Sequence, residues 1–291
     1  MNAPRDFPLH TPTSWPASLD IQVDRSPRGS RLAHWAHTGP LYLQKAFHPE
    51  GPDCAHLYLL HPPGGLVSGD RLRVNVQVDT QAHALLTTPG AGRVYRARPD
   101  RSLQVQDNRL EVGPEATLEW LPLETIVYPD AHAGLNTSVN LQAGSRIMLW
   151  DILSLGLPAN GRVFDQGEFL QTLDVHHLGE LAFRERLRID ASTRHVLEKK
   201  CGFQGMPVSA LMLAGPFEQG IPAEVVEHLR GLCAAAAPTE RAAFTELGQF
   251  ASLRVLGTCT NRARKLLTQG WKALRPVLTG KPPCEPRIWR T

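Results

Sequence analysis

LYLLHPPGGLVSGDRLRVNVQVDTQAHALLTTPGAGRVYR, residues 57–96, decides the fold. An apolar run, Leu57 to Leu60, ends at His61. Pro62, Pro63, Gly64 and Gly65 then break any regular element, because prolines remove backbone donors and glycines permit positive φ. Gly69 and Asp70 close that corner. Leu72, Val74, Val76 and Val78 then alternate with Arg71, Arg73, Asn75, Gln77 and Asp79. This is the side-chain period of two of a half-buried strand. A second corner, Pro89-Gly90-Ala91-Gly92, follows the next apolar run. Strand, rigid corner and strand again is the ground plan.

Outward from this stretch the same plan holds. From Leu57 to Ile189, strand-like segments are punctuated by corners at Gly113-Pro114, Pro129-Asp130, Ala143-Gly144 and Asn160-Gly161. Their spacing is somewhat wider than the roughly 8–12 residues of a typical sandwich. No fixed-period repeat is present, so a regular solenoid motif is not supported. Upstream, Arg31 to Phe47 reads as two strands around Thr38-Gly39-Pro40. Residues 1–25 read as a flexible arm, because Pro4, Pro8, Pro12 and Pro16 recur too often for a helix or a central strand. Downstream the pattern changes. Pro222 to Ala237 carries a helical stripe of Val225, Val226, Leu229, Leu232 and Cys233, stopped by Pro238. Phe250 to Leu256 is strand-like. Thr260 to Leu278 is a second helix, with Leu266, Leu267, Trp271 and Leu274 on one face and Pro276 ending or kinking it. The expectation is a mainly β fold, a layered or helical arrangement of many short strands with two helices near the C-terminus. Residues 26–291 are expected to form a single domain.

Composition narrows the function. With 42% hydrophobic and 20% charged residues the 291-residue chain is an ordinary globular protein that can bury a full core. A net charge of +3 without a dense basic run does not suit nucleic acid. The five cysteines (Cys54, Cys201, Cys233, Cys259 and Cys284) are odd in number and widely spaced, with no CxxC. A disulfide framework or structural zinc site is not expected, and a reducing, cytoplasmic setting fits. The N-terminus lacks the apolar core of a secretory signal. The longest apolar stretch, Ile147 to Ala159, is too short to cross a membrane and contains Asp151.

No nucleophile constellation, phosphate loop or dinucleotide loop is present, so the chain does not read as an enzyme. His34 and His37 form an HxxH, but Gly39-Pro40 follows at once and no helix presents them together. What the chain does carry is carboxylates on apolar faces. Glu185 shares parity with Leu181, Phe183, Leu187 and Ile189. Asp151 lies among Ile147, Leu149, Leu153 and Leu155. Glu124 has the parity of Leu118, Trp120 and Ile126, and Asp70 that of Leu72, Val74 and Val76. A buried carboxylate without partners costs at least several kcal/mol. Each must be protonated, paired with arginine, hydrated or exposed to a metal. Oxygen ligands would hold a divalent cation weakly, which suits passage better than storage.

HPPGGLVSGDRLR followed by ALLTTPGAGRVYR resembles the signature of the UreD (UreH) family of urease accessory proteins. The likeness continues in LEWLPLETIVY (118–128), MLWDILSLGLPANGRVF (148–164), FRERLRID (183–190) and PRIWRT (286–291). It runs from about Arg31 to the last residue; Ser68 stands where a glycine or similarly small residue is expected. The resemblance implies a helical arrangement of strands with helices on one side and no enzymatic activity. It implies a scaffold that binds the urease apoprotein and a UreF-type partner, which recruits a UreG-type GTPase carrying nickel. Nickel would be a transient passenger with no tightly bound cofactor, and Asp70, Glu124, Asp151 and Glu185 would line an internal tunnel for it. Arg287, Ile288 and Trp289, an aromatic between arginines, have the composition of an interface hot spot. They are the expected contact for the UreF-type partner, although the same residues would suit a cap on the chain's own core. The competing reading is a β-structured small-molecule binding protein or hydrolase whose carboxylates line a closed pocket.

Overall fold

The computed structural model describes residues 14–290. The chain opens with a hairpin, β1 (Trp15–Ser26) and β2 (Gly29–Thr38), followed by a short β3 (Tyr42–Leu43). From there it alternates between two sheets. β4 (Ala55–Leu60), β6 (His83–Thr87), β9 (Thr117–Trp120) and β12 (Arg146–Leu155) lie parallel and adjacent in one. β5 (Asp70–Val78), β8 (Gln104–Val112), β11 (His132–Leu141) and β13 (Glu168–His177) do the same in the other. Each circuit of the chain adds one parallel strand to each sheet, so the body is a coil of strands. Two short strands, β7 (Gly92–Val94) and β10 (Thr125–Val127), pair in parallel at one corner.

The register explains why no repeat is visible in the sequence. Ala55 pairs with Ala84, His83 with Thr117 and Thr117 with Arg146, so successive circuits advance by 29, 34 and 29 residues. In the facing sheet Arg71 pairs with Val105, Gln104 with Ala133 and His132 with Glu168, advances of 34, 29 and 36. The corners absorb the variation.

Antiparallel strands finish both sheets. β14 (Glu180–Ile189) folds back on β13, completing a 7-stranded sheet ordered β14-β13-β11-β8-β5-β1-β2. β15 (Val208–Gly215), β16 (Arg241–Leu247) and β17 (Phe250–Gly257) extend the 10-stranded sheet beyond β12. The 7-stranded sheet buries one face: Leu72, Val74, Val76 and Val78 are inside while Arg71, Arg73 and Gln77 are exposed. Its outer face is stitched by side-chain rungs between in-register parallel strands, such as Asn75 to Asp20 at 2.6 Å and Asn136 to Asp107 at 2.8 Å. The middle of the 10-stranded sheet is buried on both faces, because α1 (Ala223–Ala234) and α2 (Thr260–Thr279) cover its back, while the edge strand β16 is mostly exposed. Parallel strands covered on both sides need no solvent-facing polar side, and β4, β6 and β9 are buried along almost their whole length, their polar residues included.

Four expectations need correction. The arm assigned to 1–25 is β1 from Trp15 onward, with Ala17, Leu19, Ile21 and Val23 buried beside β5. Pro16 is tolerated near the start of the strand, as first positions allow; residues 1–13 lie outside the described residues. Gly90 and Gly92 do not require glycine, since neither has positive φ and an added Cβ meets nothing closer than 3.5 Å. The first corner does: Gly64 and Gly69 have φ of 75° and 90°, and a Cβ on Gly65 would sit 2.6 Å from the Arg93 carbonyl oxygen. Leu181 is exposed, because a bulge opposite Val175 and His176 breaks the parity of β14. Of the two roles expected of Pro276, ending α2 is ruled out: the helix runs on to Thr279, one residue past the expected Leu278, and closes on Gly280 with φ 69°. Ser68, where a glycine or similarly small residue is expected, is fully buried and its hydroxyl accepts the Arg98 N–H at 2.8 Å.

Candidate functional site

The space between the two sheets is not completely filled. A cavity of about 280 Å³ runs inward from the two corners of residues 61–65 and 88–93, past Gln106, Asn108 and Trp120, to Asp151 and Gln171. A second cavity of about 420 Å³ starts at the same Asp151 and Gln171 and continues past Phe203 to Glu185, Arg254 and Cys201. Pro89 and Gly90 are exposed at one far end, Cys201 and Arg254 at the other. Asp151 and Gln171 stand where the two cavities meet.

β12 aims Asp151 into this space by parity: Ile147, Leu149, Leu153 and Leu155 on the same face all join the inter-sheet core. Gln171, from β13 across the gap, donates its amide to Asp151 Oδ2 at 2.6 Å. Asp151 is surrounded by protein yet keeps some accessible surface, because both cavities reach it. Burial pushes its carboxyl up to about 6, against the opposing pull of the Gln171 hydrogen bond. A carboxyl that titrates near neutrality inside a cavity can hold a proton or a cation and release either.

The other three carboxylates are placed differently. Glu185 lies at the outer end of the second cavity and pairs with Arg254 of the opposite sheet at 2.6 Å. Asp70 turns back on its own corner, accepting the Val67 N–H at 2.8 Å, and lines neither cavity. It lies near His61, whose half-buried ring has its pKa lowered by burial, with Asp70 partly opposing that. Glu124 sits in the irregular link between β9 and β10, where strand parity no longer applies. Its Oε2 is buried without a partner among the described residues, beside the cavity residues Leu123 and Thr125. The structure therefore joins Asp151 and Glu185 along one space, which Asp70 and Glu124 do not line.

The expected hot spot at the C-terminus is used within the chain. The Trp289 indole lies against Trp150 and Trp271, with ring centroids 5.2 and 5.9 Å away, and donates to Thr87 Oγ1 at 2.9 Å. Part of its apolar surface is thus used on the core under α2, and the residue stays half-buried. Arg287 and Arg290 remain exposed, and Ile288 is half-buried.

A second concentration of chemistry lies behind the 10-stranded sheet, where the sequence reading placed nothing. Glu119 is fully buried. It accepts from His83 at 2.7 Å, Trp271 at 2.6 Å and Arg275 Nε at 3.0 and 3.1 Å. Arg275, also fully buried, bridges to Glu50 at 2.8 Å and donates to the Pro282 carbonyl. His56 completes the chain, 2.7 Å from Glu50. Burial alone would raise the Glu119 pKa, but His83 and Arg275 outweigh it and hold the carboxyl down at about 2. Burial likewise opposes Glu50, which His56 and Arg275 hold below its usual value. Cys54 lies beside them, its thiol pushed up by burial and then by the two carboxylates. Glu119 escaped notice because its neighbours Leu118 and Trp120 mark the inner face, and the opposite face reads as solvent until α2 is laid over it.

Comparison with known proteins follows the same lines. The family model described as UreD urease accessory protein matches residues 16–290. The urease accessory protein UreD of Marinomonas sp. (strain MWYL1) is 42% identical over 285 residues, covering 96% of this chain and 91% of that protein. UreD of Pseudomonas fluorescens (strain Pf-5) is 39% identical over 291 residues, covering 100% of both. UreD of Psychromonas ingrahamii is 37% identical, covering 95% of this chain and 94% of that one. A coil of parallel strands with α1 and α2 on its back thus shares its full length with proteins named as urease accessory proteins, and the chain belongs to the UreD family of urease accessory proteins.

Proposed function

We propose that this chain acts in urease maturation as a non-enzymatic scaffold that passes nickel to the urease apoprotein through the space between its two sheets. The observation that carries this reading is the meeting of the two cavities at Asp151 and Gln171. One oxygen ligand set at a junction, with a second carboxylate, Glu185, farther along the same space, suits a cation in transit: hard oxygen donors bind nickel weakly compared with imidazole or thiolate. The relatives are named as urease accessory proteins, which supports the destination.

In this reading a UreF-type protein docks on the chain and brings a UreG-type GTPase as the nickel donor. The Trp289 indole packs in part against this chain's own tryptophans; the exposed Arg287 and Arg290, the neighbouring Ile288 and what Trp289 leaves accessible are the proposed contact. Among the described residues no helix is long and apolar enough to cross a membrane. The test is co-expression of urease and its accessory proteins with the double variant Asp151→Asn, Glu185→Gln. The expected result is assembled but nickel-poor urease, with partner pull-downs unchanged. Normal nickel content with the folded double variant would eliminate the passage. If the wild-type chain also recovers neither urease nor a UreF-type partner, a closed small-molecule pocket becomes the better account of the cavities.

A further inference from the structure

We propose that the free edge of β14 is a docking site for an extended, carboxylate-rich segment of a partner protein, which adds to the 7-stranded sheet as one more strand. The docking surface stands whether or not nickel passes between the sheets. β14 is the last strand of its sheet and pairs with β13 alone. Its other flank therefore carries backbone N–H and C=O groups with no strand beside them, a template for an added strand. The bulge lies near the start of β14, so its register with β13 runs without interruption from Phe183 to Ile189. No proline falls in that stretch.

Three features of this edge set the chemistry of its occupant. The first is spacing. Arg184, Arg186 and Arg188 share the outer face of β14 and are all exposed, while Phe183 and Ile189 are buried on the inner one. Alternate residues of a strand stand about 6.8 Å apart, so carboxylates at alternate positions of an added strand meet the three arginines one to one. The second is an open end. Polar rungs stitch the outer face: Asn136 donates to Asp107 and the Thr172 hydroxyl to Asn136, each at 2.8 Å. Arg186 is next in register after Thr172, and among the described residues it has no hydrogen bond or ion pair. The rung ends in an unused donor that a carboxylate on the next strand would satisfy. Arg184 and Arg188 are paired with Asp174 and Asp190, yet their side chains remain 58% and 62% exposed. The third is charge. Residues 184–200 hold six basic and three acidic side chains, so this one segment carries a net +3, equal to that of the whole chain. A row of one sign also selects against a second copy: β14 laid antiparallel on itself about Arg186 sets arginine opposite arginine, which is destabilising. Nucleic acid supplies negative charge but no peptide groups for the sheet edge. An acidic strand supplies both.

The experiment uses the purified full-length chain and a fluorescently labelled peptide, Thr-Glu-Val-Glu-Val-Glu-Thr, followed by anisotropy. The expected result is saturable binding that weakens as salt is raised. Arg186→Glu should weaken it at least about fivefold, since an opposite-charge pair becomes a like-charge one. The variant gives up no contact within the chain and should melt like the wild type. Arg109→Glu makes the same charge change on the same face, but in β8 at the middle of the sheet, and should leave binding unchanged. A peptide of the same composition with its three glutamates in one block should bind at least about fivefold more weakly, because its carboxylates no longer match alternate positions. No saturable binding of the alternating peptide to the wild-type chain would overturn the proposal. So would equal binding of the block peptide, or equal weakening by Arg109→Glu and Arg186→Glu. Tighter, Arg186-dependent binding of oligothymidylate in place of the peptide would overturn it in favour of a nucleic acid.

Discussion

Replacing Asp151 by asparagine should make the protein more stable and less competent. The carboxyl rises from an ordinary 3.8 to about 6 in the folded chain, because burial penalises the charged form more than the Gln171 hydrogen bond favours it. That is a little over two decades in pH, each worth ~1.4 kcal/mol. Ionising Asp151 thus costs the fold up to about 3 kcal/mol, and water in the adjoining cavities reduces the figure, so ~1–3 kcal/mol is expected. The sign follows from linkage. A group whose folded pKa is raised binds its proton more tightly in the native state. Its stabilising contribution is complete below pH 3.8, declines as pH rises through about 6, and is absent above. Asparagine keeps an oxygen for the Gln171 amide and never ionises. Urea unfolding of both proteins at pH 4 and pH 8 tests this. The two should differ little at pH 4, and the variant should gain ~1–3 kcal/mol at pH 8. A difference that does not change with pH would refute the account of Asp151 as a buried, strained acid. Greater stability together with nickel-poor urease is the signature of a residue kept for function at a cost to the fold.

Other expectations follow from the same geometry. Gly65→Ala should destabilise by ~1–3 kcal/mol, because its Cβ meets the Arg93 carbonyl at 2.6 Å, whereas Gly90→Ala should lie near neutral in the same thermal melt. Arg275→Met strands Glu119 and Glu50 in the interior and should cost about 3–5 kcal/mol in urea. Breaking the more exposed Arg254–Glu185 pair by Arg254→Met should cost no more than about 1 kcal/mol, and equal losses in the two variants would contradict the assigned burial. Trp289→Ala should lower stability by roughly 2–4 kcal/mol through lost packing on Trp150 and Trp271. A variant that melts like the wild type but no longer recovers a UreF-type partner would make the interface, not the core, the main use of Trp289.

The sequence by itself determined the strands, the corners and the two C-terminal helices. Alternation in Leu72 to Val78, the Pro-Gly corner at 62–65 and the stripe of Leu266, Leu267, Trp271 and Leu274 are local signals, set by backbone sterics and by which side chains can face water. The same parity placed Asp151 correctly, because β12 is regular across its whole length. It failed for Glu124, where the strand is interrupted, and for Leu181, where a bulge shifts the count. Trp15 to Arg25 reads as an arm because Pro16 continues the upstream series of prolines, a local signal, while its partner, β5, is more than fifty residues away. Only the tertiary structure decided that the coil advances by unequal steps, that Gln171 reaches Asp151, and that Glu50, Cys54, His56, His83, Glu119 and Arg275 converge. Those residues are spread over more than two hundred positions. Nothing in any one segment states that its polar side chain will be covered, since burial is conferred by whichever element packs on top, and here α2, late in the chain, turns the back of a sheet into an interior.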